Sequence, residues 1–337
     1  MTSTVSIKKA CIIGGGAFGT ALSSVLSGSS ASVSVWTRSE EQTERVRASR
    51  ENSDYLPGFP LPDNVHFTAN VLEAVDSADI VLIAIPTQFI RSFLIENRSV
   101  FPIGVPIVTC AKGIEVDTLL FPYDILLEEL PGKYAKFIAA LSGPSFAREV
   151  MEKQPTSVAV TGDPEIAQLV QKIMSVGTFR VYTTDDTIGC EVAGAVKNVL
   201  AIASGAAHGL GFGHNTRALL VCRGLAEISR LAARLGSACK CMCGLAGVGD
   251  LMLTCSSEIS RNFSVGNRLA KGETLEEIEA STPAVAEGVA TAKALHALSR
   301  KLQVEMPICE EVYLVLYQGK QVEQALKDLA HRPLSSE

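Results

Sequence analysis

One cation interrupts the apolar run GCEVAGAVKNVLAIASG, residues 189–205. Val192, Val196, Val199, Leu200 and Ile202 recur at helical spacing, so the run predicts a helix. Lys197 has Ala193, Gly194, Leu200 and Ala201 three and four positions away, all small or apolar. A solvated helix face normally carries several charges. Desolvation disfavours an ammonium and lowers its pKa, which would make Lys197 a proton donor near neutrality. A snorkelling lysine, with its stem packed and its head in water, fits the same pattern.

A second group of residues suits phosphate chemistry. Gly14, Gly16 and Gly19 form G-x-G-x-x-G between a predicted strand and a predicted helix. In such a turn the first glycine allows the tight bend, the second lets backbone approach a pyrophosphate, and the third lets helix and strand pack closely. The helix N-terminus adds free N–H donors and a positive dipole end. At the start of a βαβ pattern the motif predicts a dinucleotide site. An acid at the end of the second strand would grip the ribose 2′-hydroxyl of NAD, but VSVWTRSEE has none there. Arg38 lies just beyond and suits the 2′-phosphate of NADP, while Glu40 and Glu41 come slightly late. Either NAD or NADP therefore fits. His208 and His214, in HGLGFGH, raise a histidine general base, although neither sits in a fixed helical frame. Cys239, Cys241 and Cys243 (CKCMC) lack C-x-x-C spacing and a nearby histidine. They read as incidental thiols, and no metal is expected.

The elements that must position these groups change character along the chain. Apolar runs at 8–13, 33–37, 78–85, 106–111, 136–142, 156–162 and 179–184 read as strands, alternating at first with helical patterns such as SEEQTERVRASRE and QFIRSFLIEN. That alternation predicts an α/β fold with a Rossmann-type, doubly wound parallel sheet over residues 1–185. From Asp186 onward helical patterns follow at 187–207, 215–235, 262–271, 284–302 and 307–329. Residues 186–337 therefore predict an all-helical C-terminal domain, which carries the candidate proton donor Lys197.

Composition narrows the function classes. A chain of 337 residues has room for two domains, and 47% apolar with 20% charged residues is an ordinary globular composition. The net charge of −6 and the lack of a basic stripe argue against nucleic acid as a partner, while a local pocket for a small anion fits. Nine cysteines, an odd number scattered through apolar runs, suit a reducing compartment such as the cytoplasm. KKACIIGGGAFGTALSSVLSGSSAS mimics a signal peptide, but its glycines sit where a phosphate-binding turn needs them. No apolar run reaches the ~18 uninterrupted residues of a membrane span, so no membrane partner is expected. The ending LSSE is not of the S-K-L type, although a peroxisome-like organelle stays open.

Longer motifs then add up: GGGAFG (14–19), IPTQF (85–89), AKGIE (111–115), LSGPSFARE (141–149), GAVKNVLAI (194–202), GLAGVGDLMLTC (244–255), SRNF (260–263) and AEG (286–288). In this order, over essentially the whole chain, they resemble the NAD(P)-dependent glycerol-3-phosphate dehydrogenases. The resemblance implies a Rossmann domain, a helical C-terminal domain and a homodimer. It also implies reversible reduction of the small molecule dihydroxyacetone phosphate to sn-glycerol 3-phosphate, which links glycolysis to glycerolipid synthesis and redox balance. It makes Lys197 the general acid/base, Lys112 a second cation touching cofactor and substrate, and Asp250 a substrate contact that orients Lys197. Thr254 joins that cluster. Ser260, Arg261 and Asn262 would bind substrate, the last two through its phosphate and the arginine also touching cofactor, and Gly143 and Ser145 would contact substrate. Ala17, Phe18, Phe89, Ala147, Val285 and Glu287 would line the cofactor beside the glycine turn.

The lysine role is physically sensible. Negative charge grows on the ketone oxygen as hydride reaches the carbon, and an ammonium stabilises it and delivers the proton. A lysine at its free pKa of about 10.4 is a sluggish base; an apolar helix and a second cation lower it, and a nearby anion opposes them. Read without the resemblance, Lys112 is a loop lysine and Asp250 a turn aspartate bonding its own backbone. Arg261 and Asn262 then become a surface ion pair and a capping amide, and Phe18 and Phe89 plain core. Two other functions share the fold: a dehydrogenase of β-hydroxyacids, with Arg261 and Asn262 on a carboxylate, and a non-catalytic dinucleotide sensor. The sensor would not need Lys197 on an apolar helix.

Overall fold

The computed structural model describes residues 5–281 and 285–333. The chain divides into two compact units: Met1–Ala111 with Pro122–Thr187, and Lys112–Phe121 with Ile188–Glu337.

The first unit holds an eight-stranded sheet of order β3-β2-β1-β4-β5-β6-β7-β8. Its strands are β1 (Ile7–Ile13), β2 (Ser30–Trp36), β3 (Val65–Thr68), β4 (Ile80–Ile83), β5 (Ile107–Thr109), β6 (Ile138–Ser142), β7 (Thr156–Gly162) and β8 (Phe179–Thr184). Between them run α1 (Ala17–Leu26), α2 (Glu40–Ser49), α3 (Val71–Val75), α4 (Ile90–Asn97), α5 (Pro122–Glu129), α6 (Ala147–Met151) and α7 (Pro164–Met174). The central strands carry continuous apolar runs: Ile80–Ile83 are all buried, as are Ala10–Ile13. Burial on both faces is what such continuous runs signal in a parallel sheet. Ile12 pairs with Val35 on one side and Leu82 on the other, so the strand order reverses at β1, the switch point where doubly wound sheets open a crevice.

The expected parallel sheet extends through β6. There β7 joins antiparallel, with Leu141 opposite Val160, and β8 runs parallel to β7. A buried strand such as TSVAVTG reads the same in either direction, so its apolar pattern carries no orientation. The four-residue edge strand β3, whose His66 is exposed, was not among the predicted strands; it is too short for a period-two signal.

The second unit contains no strand among its described residues. Its helices are α8 (Thr187–Gly209), α9 (His214–Arg234), α10 (Asp250–Ser256), α11 (Arg261–Ala270), α12 (Leu275–Ala280), α13 (Glu287–Leu302), α14 (Pro307–Gln318) and α15 (Val322–Ala330). The predicted single helix over 307–329 is two helices, because Gly319 (φ 68°) ends α14 in the left-handed conformation. Every residue of α8 from Gly189 to Gly205 is buried. By length and composition α8 could cross a membrane, but 94% of its most apolar window is buried inside the protein, as for a core helix. A Cβ at Gly205 would lie 1.9 Å from the Phe263 carbonyl oxygen, and one at Gly266 1.9 Å from that of Ile202. This close crossing sets the start of α11 against α8, beside Lys197.

Candidate functional site

Lys197 sits midway along α8 and is only 7% exposed. Its Nζ donates to Thr254 Oγ1 at 2.8 Å and lies 2.9 Å from Asp250 Oδ1. The second Asp250 oxygen, Oδ2, takes the Lys112 ammonium at 2.7 Å. Asp250 opens α10 and Thr254 follows one turn later, so helical geometry places both on one face. The Thr254 hydroxyl also donates to the Asp250 carbonyl at 2.6 Å. Sequence spacing alone cannot reveal that Lys112, from the loop after β5, shares this carboxylate.

The electrostatics follow from burial and from this shared anion. Desolvation lowers the Lys197 pKa to about 8; Asp250 pulls it up and Lys112 pushes it down. Burial acts to raise the Asp250 carboxyl, but the two ammonium groups outweigh it and hold the group below its ordinary value. Burial pushes the adjacent Cys255 thiol up to about 12, so no thiolate competes there. The cluster thus combines a buried, readily deprotonated ammonium with a second ammonium and a fixed carboxylate. Such a pair can protonate and stabilise an oxygen that gains charge.

Side-chain amides fix the surrounding backbone. Asn198, next to Lys197, donates to the Lys112 carbonyl at 2.9 Å. Asn262 donates to Asn198 Oδ1 at 3.0 Å and accepts from the Gly288 N–H at 2.9 Å. Four segments are therefore tied by two buried amides. Asn262 was read as a phosphate ligand, and the structure commits much of its amide to this network. Asn198 was missed, although a second polar residue inside the apolar GAVKNVL run was a usable signal. Arg261 opens α11, is exposed and donates to the Val285 carbonyl at 2.8 Å, joining two predicted site residues. Ser260 caps α11 by accepting from the Phe263 N–H at 3.3 Å. Glu287 is the first residue of α13. His208 lies against Phe263, Glu258 and Arg217, and His214 is exposed at the start of α9. Cys241 is buried, Cys239 is partly buried and Cys243 is exposed.

In the sheet unit the predicted residues gather at the carboxyl ends of parallel strands. Gly14 leaves β1 with φ 122°, where a Cβ would sit 2.7 Å from the Ala84 carbonyl oxygen. A Cβ at Gly19 would lie 1.9 Å from the Gly14 carbonyl oxygen, so strand and helix touch through backbone. Around Gly16 the space is open: an added Cβ meets nothing within 4 Å. No side chain caps α1, which begins at Ala17, so its first N–H groups face that opening. This cradle fits a pyrophosphate. Phe18 and Ala147 pack, partly buried, against the core of this unit. Phe89 follows β4 and is exposed, as is Arg38 beyond β2. Gly143 (φ 140°) turns the chain out of β6, and its carbonyl accepts from the Ser145 hydroxyl at 3.0 Å.

Comparison with known proteins identifies the family. Residues 9–167 match the model for the NAD-dependent glycerol-3-phosphate dehydrogenase N-terminus, and residues 186–327 match that for its C-terminus. A glycosomal glycerol-3-phosphate dehydrogenase [NAD(+)] of Trypanosoma brucei rhodesiense is 48% identical over 98% of this chain and 95% of its own. A glycerol-3-phosphate dehydrogenase [NAD(P)+] of Anaeromyxobacter dehalogenans is 44% identical over 98% of this chain and 99% of its own. The crystal structure of the Coxiella burnetii glycerol-3-phosphate dehydrogenase superposes with a TM-score of 0.91 at 31% identity, covering 96% of this chain and 99% of that one. With the fold, the glycine cradle and both domain models in agreement, the chain belongs to the NAD-dependent glycerol-3-phosphate dehydrogenase family.

Proposed function

We propose that this chain catalyses the reversible, NAD(P)H-dependent reduction of dihydroxyacetone phosphate to sn-glycerol 3-phosphate, with Lys197 as general acid. The observation that carries this reading is the pair of ammonium groups, Lys197 and Lys112, on the one buried Asp250 carboxylate. The cradle at Gly14, Gly16 and Gly19, with the N-terminus of α1, would hold the dinucleotide pyrophosphate. When bound, the nicotinamide supplies a hydride to the ketone carbon. Lys197 Nζ then gives its proton to the carbonyl oxygen as charge grows there, and is left as a neutral amine held by Thr254 and Asp250. Lys112 stabilises the same oxygen electrostatically. In the oxidative direction the neutral Lys197 amine takes the proton of the substrate hydroxyl. Arg261, with its planar donors, binds the substrate phosphate beside the N-terminus of α11. Nine cysteines, none in a disulfide among the described residues, suit a reducing compartment such as the cytoplasm, and relatives named glycosomal suit an organelle. We also expect a homodimer.

The test follows NADH and NADPH oxidation with dihydroxyacetone phosphate, using wild type and Lys197→Met in parallel. Wild type turns over, and the folded variant loses activity by about 10²–10⁴-fold while still binding NADH. A folded wild type that binds either cofactor without turnover overturns the substrate. A fully active variant removes Lys197 from the chemistry.

A further inference from the structure

The glycine turn leaves one conformational question open. Gly15 and Gly16 flank a single peptide unit, and glycine populates positive and negative φ almost equally. Nothing in these two residues themselves prevents that peptide from rotating by about half a turn. In a planar trans peptide the C=O and the following N–H point in opposite directions. Rotation would therefore exchange the Gly16 N–H for the Gly15 oxygen on the open side of the turn, and an oxygen there repels phosphate.

Two buried amides address that peptide. Gln42 Nε2 donates to the Gly15 carbonyl oxygen at 2.8 Å, and Asn52 Nδ2 donates to the same oxygen at 2.9 Å. Gln42 is 8% exposed and Asn52 1%. Asn52 Nδ2 also reaches Thr20 Oγ1 at 2.7 Å, and that hydroxyl donates to the Gly16 carbonyl at 2.8 Å. The network thus grips two consecutive carbonyls of the turn from inside. Gln42 is itself held in the first turn of α2, its N–H donating to the Ser39 cap at 3.2 Å. Neither amide belongs to the glycine motif, and neither touches the lysine cluster.

We propose that Gln42 and Asn52 are positioning residues for the dinucleotide: by holding the Gly15 carbonyl inward they aim the Gly16 N–H at the pyrophosphate. This rests on the reading that the glycine turn receives the cofactor. Breaking the network turns a preorganised donor into one that must be ordered on binding, so affinity for the dinucleotide falls. The effect reads out on the cofactor, not on the ketone.

The experiment compares wild type with Gln42→Met, close in volume but without donors, with Asn52→Leu and with the isosteric Thr20→Val. For each, the Kd of NADH, the KM of NADH and the KM of dihydroxyacetone phosphate are measured, with a thermal midpoint taken without cofactor. We expect Kd and KM for NADH to rise about tenfold per amide removed, the scale of one net hydrogen bond. The KM of dihydroxyacetone phosphate stays within about twofold. Thr20→Val, which removes only one hydroxyl, gives a smaller rise of the same kind. Folded variants with wild-type NADH affinity overturn the proposal, and so does an equal rise in both KM values. Gly16→Val separates the underlying reading: if filling the open space leaves NADH binding intact, the turn is not the cofactor site.

Discussion

Asp250→Asn makes the sharpest test of the lysine cluster. The carboxylate oxygen lies 2.9 Å from Lys197 Nζ, and at an effective dielectric of ~20 that attraction is about 6 kcal/mol. An amide oxygen still accepts a hydrogen bond, so we take less than half, about 2–3 kcal/mol, or about 2 pH units. The Lys112 charge, no longer offset by that of Asp250, acts in the same direction. The Lys197 pKa then falls from about 8 toward about 6. A lysine is charged below its pKa and neutral above it. At pH 7 the protonated, donating fraction drops from about nine-tenths to about one-tenth, a tenfold loss of reductive kcat/KM. The assay is the initial rate of NADH oxidation across pH 5.5–9, plotted as the ratio of variant to wild type, so that titration of the substrate phosphate cancels. The ratio should fall about 25-fold between about pH 6 and pH 8. The oxidative direction, which needs the neutral amine, is spared at pH 7. A ratio that is low but flat with pH would refute the reasoning, since it would make Asp250 a substrate contact with no hold on the lysine.

Lys112→Met should move the alkaline limb the other way, above about pH 8, because a like charge is removed; a downward shift in the same rate profile counts against the shared-anion geometry. Asn198→Leu removes one donor to the Lys112 carbonyl and the acceptor of the Asn262 amide N–H, so kcat/KM for dihydroxyacetone phosphate should fall by about 10–100-fold; unchanged steady-state kinetics would show that the network is dispensable. Gly19→Ala forces a Cβ into the Gly14 carbonyl and should cost about 1–3 kcal/mol, read as a thermal midpoint lower by several degrees; an unaltered midpoint would mean the turn has slack. Arg38→Ala should raise the KM of NADPH several-fold over that of NADH, and equal changes for both cofactors would detach Arg38 from the 2′-phosphate.

Some of this was readable without coordinates, for identifiable reasons. Lys197 is conspicuous because a charge in an apolar helix breaks a pattern, and the glycine turn because each glycine answers a separate steric demand. The direction of β7 was not readable, since alternation and apolar content are symmetric along a strand. The short β3, α10 and α12 carry too few residues for periodicity to register. Gln42 and Asn52 were hidden for the opposite reason to Lys197. EEQTERVRAS is so polar that a buried glutamine within it breaks no pattern. The motifs singled out Asn262 as a phosphate ligand, but only the bonds of its amide to Asn198 and Gly288 reveal it as a strut.

The ten-residue piece Lys112–Phe121 belongs with the helical unit although it lies between two pieces of the sheet unit. The chain therefore passes from one unit to the other three times, after Ala111, Phe121 and Thr187. A recombination or fragment-expression experiment that cuts only near residue 187 would leave the second ammonium behind. Chimaeras made at that point inherit Lys112 from one parent and Asp250 from the other, so an ion pair becomes a compatibility test between them. Exchange of the helical unit as a working module requires two grafts, the long helical segment and the short loop.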